Sequence, residues 1–306
     1  MRIIFMGTPD YATKILETLL NENDIEVVAL VTQPDKPVGR KQILTPPHAK
    51  AYILQEGIEL PILQPLTLRD ESVVEELKKL EPDFIVVAAY GQILPQNVLD
   101  IAPCINLHAS LLPKYRGASP IQSSILSNDT FSGVTAMMME KGLDTGDMLG
   151  FSYVKIDENT TSPKLFEELS QKAASLTVKV LKRFDELSPL KQSNSRTSYS
   201  PKIKKEDGEV SFTCKAEELD RKFRTFHPWP GVYLESKLKL LELTCKDKES
   251  LHINTGEILS ICTEGVEVSC KKGSVLIKSV QAPSKKAVDA ISYLLGKRLE
   301  VGDTIY

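Results

Sequence analysis

In "CINLHASLLPKYRGASPIQ" (residues 104–122), Asn106 and His108 are the side chains whose types and spacing could do chemistry together. They stand at i and i+2 near the end of an apolar, strand-like run, and such residues project from one face of a strand. An Asn amide placed there can donate hydrogen bonds to an oxygen that gains negative charge. A neighbouring His supplies a further donor, or moves a proton near neutral pH. A carboxylate beside the ring would favour its imidazolium form. Asp144 in "GLDTGDM" is the best-placed candidate, because Gly142 and Gly146 bracket a loop able to bring it close. An isolated Asn-x-His is ordinarily a satisfied structural pair. The glycine-bracketed aspartate gives the functional reading its weight.

The elements that must hold these groups alternate between two periods. "RIIFMG", "IEVVALVT", "FIVVAAYG", "CINLH" and "GVTAMMM" read as buried strands. Between them lie helical patterns: Asp10 to Asn21, with Ala12, Ile15, Leu16 and Leu19 on one face, and "DESVVEELKKLEP", with Val73, Val74, Leu77 and Leu80. Strands buried on both faces and separated by helices predict a doubly wound, mostly parallel, Rossmann-like α/β domain. Its ligands bind at the carboxyl ends of the strands. The first strand ends in "MGTPDYA" and not in GxGxxG, and no GxxxxGK[ST] loop occurs, so dinucleotide and triphosphate sites are disfavoured. A long helix opens at Ser162-Pro163 with Leu165, Leu169, Ala173, Leu176, Val180 and Phe184 as its stripe. A Ser-rich stretch without periodicity follows, and is read as a linker. Beyond it, one helix (Lys215 to Phe226) and five short strands predict a small OB-like β-barrel.

The 306 residues, 42% hydrophobic and 26% charged, suit a globular protein with a large core or two domains. No apolar run approaches the roughly 20 residues a bilayer span needs. The N-terminus reads as a first strand and not as a signal peptide. The five cysteines (Cys104, Cys214, Cys245, Cys262, Cys270) are odd in number and never spaced as CxxC. That favours reduced thiols in a cytoplasm over a disulfide framework or a zinc site, and no metal is expected. Residues 188–306 carry 20 basic and 16 acidic side chains, against 18 and 25 in residues 1–187. A basic second part suggests an anionic partner.

Three motifs run in order: Asn-x-His at 106–108, "SLLPKYRG" at 110–117 and Asp-x-Gly at 144–146. On these residues the chain resembles the 10-formyltetrahydrofolate-dependent formyltransferases. "GTPDYA", "TQPDKPVGR", "VAAYGQILP", "GLDTGDM" and "HPWPG" are similar to the branch of that family that acts on aminoacylated tRNA, and the similarity covers essentially the whole chain. Members often carry Asn where His227 stands here.

The resemblance implies 10-formyltetrahydrofolate as formyl donor and the α-amine of initiator methionyl-tRNA as acceptor. Asn106 and protonated His108 would stabilise the oxyanion, and Asp144 would orient and charge His108. Ser110, Leu111, Leu112 and Pro113 would form one wall of a folate slot, and Tyr90, Gly91, Ile93 and Leu94 the other. Thr32–Lys50 is long for a βα loop. The resemblance implies that it meets the acceptor stem through Arg40 and Lys41. Lys204, Lys205 and Arg221 would follow the phosphates, with Lys202, Lys222, Arg224, Lys271, Lys272, Lys285 and Lys286 as further bases. Trp229, between two prolines, is expected to be core; His48, His227 and His252 sit in no motif. The expected division is a formyltransferase catalytic domain (1–187), a linker (188–205) and an OB-like tRNA-binding domain (206–306). The protein is expected to be a cytoplasmic monomer with no membrane association. The alternative is a formyltransferase for another amine, on a sugar nucleotide or glycinamide ribotide. A non-catalytic RNA-binding protein is disfavoured by the intact Asn106, His108 and Asp144.

Overall fold

The computed structural model describes residues 1–39 and 41–305; Arg40 and Tyr306 lie outside the described residues. Two units emerge, one made of 1–121, 130–156 and 164–201, the other of 122–129, 157–163 and 202–306.

In the first unit the apolar runs become β1 (Arg2–Gly7), β2 (Glu26–Val31), a hairpin of β3 (Lys36–Val38) and β4 (Ile43–Thr45), β5 (Ile62–Leu63), β6 (Phe84–Ala88), β7 (Cys104–His108), the short β8 (Arg116–Gly117), β9 (Phe131–Met138) and β10 (Met148–Lys155). The helices are α1 (Asp10–Leu20), α2 (His48–Gln55), α3 (Glu71–Lys79), one-turn α4 (Gln96–Leu99) and α6 (Ser162–Lys182), while most of α5 (Pro120–Leu126) belongs to the second unit. Seven strands form one sheet in the order β10-β9-β7-β6-β1-β2-β5. β5, β2, β1, β6 and β7 are mutually parallel, while β9 and β10 add on antiparallel. Ile3, Ile4, Ile85 and Val86 are wholly buried, as a sheet covered on both faces requires. The chain builds outward from β1 through β2, then returns to β6 on the other side. The switch point therefore lies at the carboxyl ends of β1 and β6, where a ligand crevice forms. Thr8 Oγ1 donates to the Tyr90 carbonyl across it at 2.9 Å.

The helices bury the faces their spacing marks. Asp70 caps α3 by accepting from the Ser72 amide at 3.0 Å, and Val74 and Leu77 point inward. The stripe of α6 is buried from Leu165 to Val180. Its last expected member, Phe184, lies beyond the helix end in a 3₁₀ turn and packs edge-on to Phe84 at 4.8 Å.

Residues 190–200, expected within a linker, are folded onto the first unit. Leu190 and Met148 exchange two backbone hydrogen bonds of 2.8 Å, and β11 (Tyr199–Ser200) pairs in parallel with β8.

The second unit holds α7 (Ala216–Phe226), β12 (Val232–Tyr233), β13 (Lys239–Leu251), β14 (Ile258–Cys262), β15 (Gly265–Ser269), β16 (Lys272–Gln281), β17 (Val288–Asp289) and α8 (Ala290–Lys297). Its antiparallel sheet runs β12-β13-β16-β15-β14, with β17 on β16, over a core that includes Phe212, Leu219, Phe226 and Ile277. The β13–β16 ladder is broken by several register shifts, which bend the strand. Neither β17 nor α8 is among the expected elements. Trp229, expected in the core, is 58% exposed. The Gly231 amide returns to the Phe226 carbonyl at the end of α7, at 2.9 Å, and that closure turns the Pro-Trp-Pro loop outward.

Candidate active site

β7 sets Asn106 level with Val87 near the end of β6 and carries His108 just past that end, beside the switch point. Asp144 arrives from the β9–β10 connection and receives three groups. Asn106 Nδ2 lies 3.4 Å from its Oδ1, the Gly117 amide donates to Oδ2 at 2.8 Å, and His108 Nδ1 is 3.6 Å from Oδ2. The other ring nitrogen, His108 Nε2, contacts the Tyr115 carbonyl at 2.9 Å. A carbonyl only accepts, so Nε2 carries a proton and Nδ1 is the nitrogen that faces the carboxylate.

The loops around this cluster adopt backbone conformations that few residues accept. Asp144 (φ 53°), Tyr115 (φ 60°) and Ala89 (φ 46°) are left-handed although none is glycine. Such positions cost of order 1–3 kcal/mol each and persist where surrounding structure fixes them. Left-handed Tyr115 directs its carbonyl at His108. Two glycines are demanded by close approach. A Cβ on Gly146 would lie 1.8 Å from the Met138 carbonyl oxygen, and one on Gly117, also left-handed, 2.5 Å from that of Ser200.

The "SLLP" turn faces mostly inward. The Ser110 hydroxyl donates to the Lys114 carbonyl at 2.6 Å, and the Leu112 amide is spent on Thr135 Oγ1 at 3.0 Å. The Leu112 side chain is buried with Met137 and Met148. Leu111 and Pro113 keep some exposure, and Pro113 accepts from the Ser198 amide at 3.3 Å. The other expected wall divides similarly. Tyr90, 2% exposed, and Leu94 belong to the core, while Ile93 is 88% exposed and Gly91 is left-handed at φ 88°. The Tyr90 hydroxyl is buried without a partner among the described residues, and burial pushes its pKa up to about 12. Leu143, beside Asp144, is another large apolar side chain left exposed. Cys104, two residues before Asn106, is no nucleophile at neutral pH. Burial first, then the Asp100 charge, pushes its thiol up to about 12.

Sequence reasoning missed the partners that hold the cluster: Tyr115, Gly117, Thr135, Gln192, Ser198 and Ser200. Most act through backbone atoms or a lone hydroxyl, which leave no pattern of spacing.

The basic residues also sort by geometry. Lys50 belongs to α2 and pairs with Asp35 at 2.9 Å; Lys222 lies 3.8 Å from Glu218, Arg224 2.8 Å from Asp220 and Lys272 2.8 Å from Glu249. Lys41, in the β3–β4 turn, and Lys204 and Lys205 are exposed, and Arg221 is half-buried on α7. None of these four side-chain cations pairs with a carboxylate among the described residues, although the Lys204 backbone amide donates to Asp207 Oδ2 at 2.7 Å. Arg40 lies outside the described residues. No described helix is long and apolar enough to cross a membrane, and no cluster of three or more His, Cys, Asp or Glu that could hold a metal occurs among the described residues.

A doubly wound sheet with an Asn–His–Asp cluster at its carboxyl edge, followed by an antiparallel second unit, defines a class of group-transfer enzyme. The model described as "Formyl transferase" matches residues 1–181, and "Formyl transferase, C-terminal domain" matches residues 202–298. The chain belongs to the formyl transferase family. Methionyl-tRNA formyltransferases of a Nitratiruptor species and of Wolinella succinogenes are each 55% identical to it over 306 residues, covering 100% of both chains. Among solved structures, the N-formyltransferase from Helicobacter canadensis in complex with folinic acid and dTDP-3-aminofucose matches with a TM-score of 0.67 at 20% identity, over 90% of this chain and 98% of that one. HypX from Aquifex aeolicus in complex with tetrahydrofolic acid matches with a TM-score of 0.64 at 16% identity, over 100% of this chain and 49% of that one. At these identities the two structures speak for the fold alone.

Proposed function

We infer that the protein transfers a formyl group from 10-formyltetrahydrofolate to the α-amine of methionyl-tRNA, the initiator above all. The observation that carries this reading is the convergence of Asn106, His108 and Gly117 on the Asp144 carboxylate, in a chain 55% identical over its full length to methionyl-tRNA formyltransferases. Catalysis is assigned to residues 1–187 and tRNA binding to 206–306, with 188–205 between them, in a cytoplasmic monomer that needs no metal.

The exposed apolar side chains of Ile93 and Leu143, with the half-buried Leu111, suit the flat ring of a folate, and the unpartnered Tyr90 hydroxyl suits a polar edge. Ser110, Leu112 and Leu94 support that wall from behind. The bound donor supplies a formyl carbon open to attack by the amine. Asn106 is the donor for the oxygen that gains charge, because its amide is held only loosely, at 3.4 Å, by Asp144. His108 already spends the Nε2 proton on Tyr115, so a second proton would sit on Nδ1, between ring and carboxylate. Asp144 thereby supports an imidazolium whose charge faces the same oxygen, and is the base for the amine proton, which passes to the departing folate nitrogen as that nitrogen's bond to the formyl carbon breaks. Lys41, Arg40, Lys204, Lys205 and Arg221 meet the tRNA phosphates.

The test is formylation assayed side by side on charged initiator tRNA, charged elongator tRNA and an amino sugar nucleotide. Preferential formylation of the initiator is the expected result. Transfer to the sugar nucleotide alone would assign the chemistry to another acceptor.

A further inference from the structure

The hydrogen bonds of the two loops around the cluster converge on one side chain that belongs to neither loop, Gln192. Its Oε1 accepts from Arg116 Nε at 3.0 Å and from Arg116 Nη2 at 2.7 Å. Its Nε2 donates to the Asp144 carbonyl at 2.9 Å and to the Gly146 carbonyl at 2.8 Å. The amide thus uses both donors and both acceptor positions. Arg116 is 4% exposed, and among the described residues this neutral amide, not a carboxylate, meets its guanidinium.

Only an amide side chain can do this. A guanidinium requires an acceptor and two carbonyls require donors. Loop 110–117 carries the Tyr115 carbonyl that holds His108 and the Gly117 amide that holds Asp144. Loop 142–147 carries Asp144 itself. Gln192 ties the two together without touching the Asp144 carboxylate or either side chain on β7. Its neighbours add further ties to the first loop. The Ser198 carbonyl accepts from the Arg116 amide at 2.9 Å, Ser198 Oγ accepts from the Tyr115 amide at 2.9 Å, and Ser200 Oγ donates to the Tyr115 carbonyl at 3.1 Å.

We propose that Gln192 is a positioning residue for formyl transfer: by clamping Arg116 to the backbone of Asp144 and Gly146, it sets the Asp144 carboxylate against Asn106 and His108. The inference rests on the formyl-transfer reading above. Small displacements of a reacting constellation are costly in rate, whereas the cations assigned to tRNA stand on other segments and should feel them little.

Two variants separate the halves of the clamp. Gln192→Glu keeps the Arg116 contacts but sets a carboxylate against two carbonyl oxygens; Gln192→Met removes both sets of bonds at similar volume. Steady-state formylation of charged initiator tRNA is measured for each, with melting temperature recorded separately. Expected is a loss in kcat of about 10- to 100-fold for both, with KM for tRNA within about 3-fold of the parent. Conservative Gln192→Asn, one methylene shorter, should recover part of the loss. The inference is overturned if folded Gln192→Glu and Gln192→Met turn over within about twofold of the parent, or if KM alone changes. It is also overturned if the loss only tracks the fraction of unfolded protein. A parent enzyme that formylates no tRNA would instead contradict the functional reading, and this inference with it.

Discussion

At the scale of the residue, Asp144 has more tasks than its neighbours. It holds the Gly117 amide, faces His108 Nδ1 and touches the Asn106 amide, from a left-handed backbone that its own type tolerates better than most. Asp144→Asn keeps the shape and can still accept from Gly117, but it removes the negative charge that an imidazolium needs. Turnover in formyl transfer should therefore fall about 100-fold or more, with the melting temperature near that of the parent. A folded Asp144→Asn enzyme with parental kcat would remove Asp144 from the chemistry. Asn106, His108 and Asp144 are legible in the sequence because an Asn-x-His pair closes an apolar strand run and two glycines bracket the aspartate loop. The Tyr115 carbonyl and Gly117 amide are not, since every residue carries such groups and only folding aims them.

Elements explain why the cluster holds together. The β9–β10 connection passes so close to Met138 that position 146 admits no side chain. Gly146→Ala must push the loop away and carry Asp144 with it. It should lower kcat by at least about 10-fold and destabilise the fold by about 1–3 kcal/mol, read from urea unfolding. Burial within β7 also gives a pH signature. The Cys104 thiol, near 9 in the unfolded chain and pushed up to about 12 in the fold, stays protonated in the native protein while the unfolded state ionises. A folded pKa raised above the unfolded one gives stability that is whole below the unfolded value and is lost as pH rises above it. Unfolding free energy should therefore drop between about pH 9 and 12, by about 1 kcal/mol from this thiol at about pH 10. Cys104→Ala should flatten that limb, and an unchanged limb would deny the thiol its role. Strands β1, β2, β6 and β7 are legible because burial on both faces leaves unbroken apolar runs. The segment 190–200 is not: its structure comes from hydrogen bonds to the catalytic loops and not from a periodic apolar face. Helix α8 is missed for another reason, since its signals are an Asp289 cap and only two buried residues, Ala290 and Leu294.

Across the whole molecule, charge separates the proposed roles. The chemistry is assigned to the acidic first part. Lys204 and Lys205 of the second, whose side chains pair with no carboxylate among the described residues, are available to phosphates. Replacing Lys204 and Lys205 together by Ala should raise KM for charged tRNA several-fold and leave kcat alone. It should also reduce the salt dependence of tRNA binding by about one to two phosphate contacts. An unchanged salt slope would place the tRNA elsewhere. The division of charge is legible from composition, but which lysines are free of partners is not. Lys50 and Lys272 look like Lys41 and Lys204 in sequence, and only the fold brings Asp35 and Glu249 to the former pair.

The most direct test of the account is the single-turnover rate of N-formylmethionyl-tRNA formation by His108→Ala, with saturating 10-formyltetrahydrofolate and charged initiator tRNA. Loss of the ring removes both the contact with Tyr115 and the nitrogen that faces Asp144. The account expects a folded variant that binds both substrates and forms product about 100- to 1,000-fold more slowly than the parent. A folded His108→Ala enzyme that formylates the tRNA at close to the parental rate would contradict it.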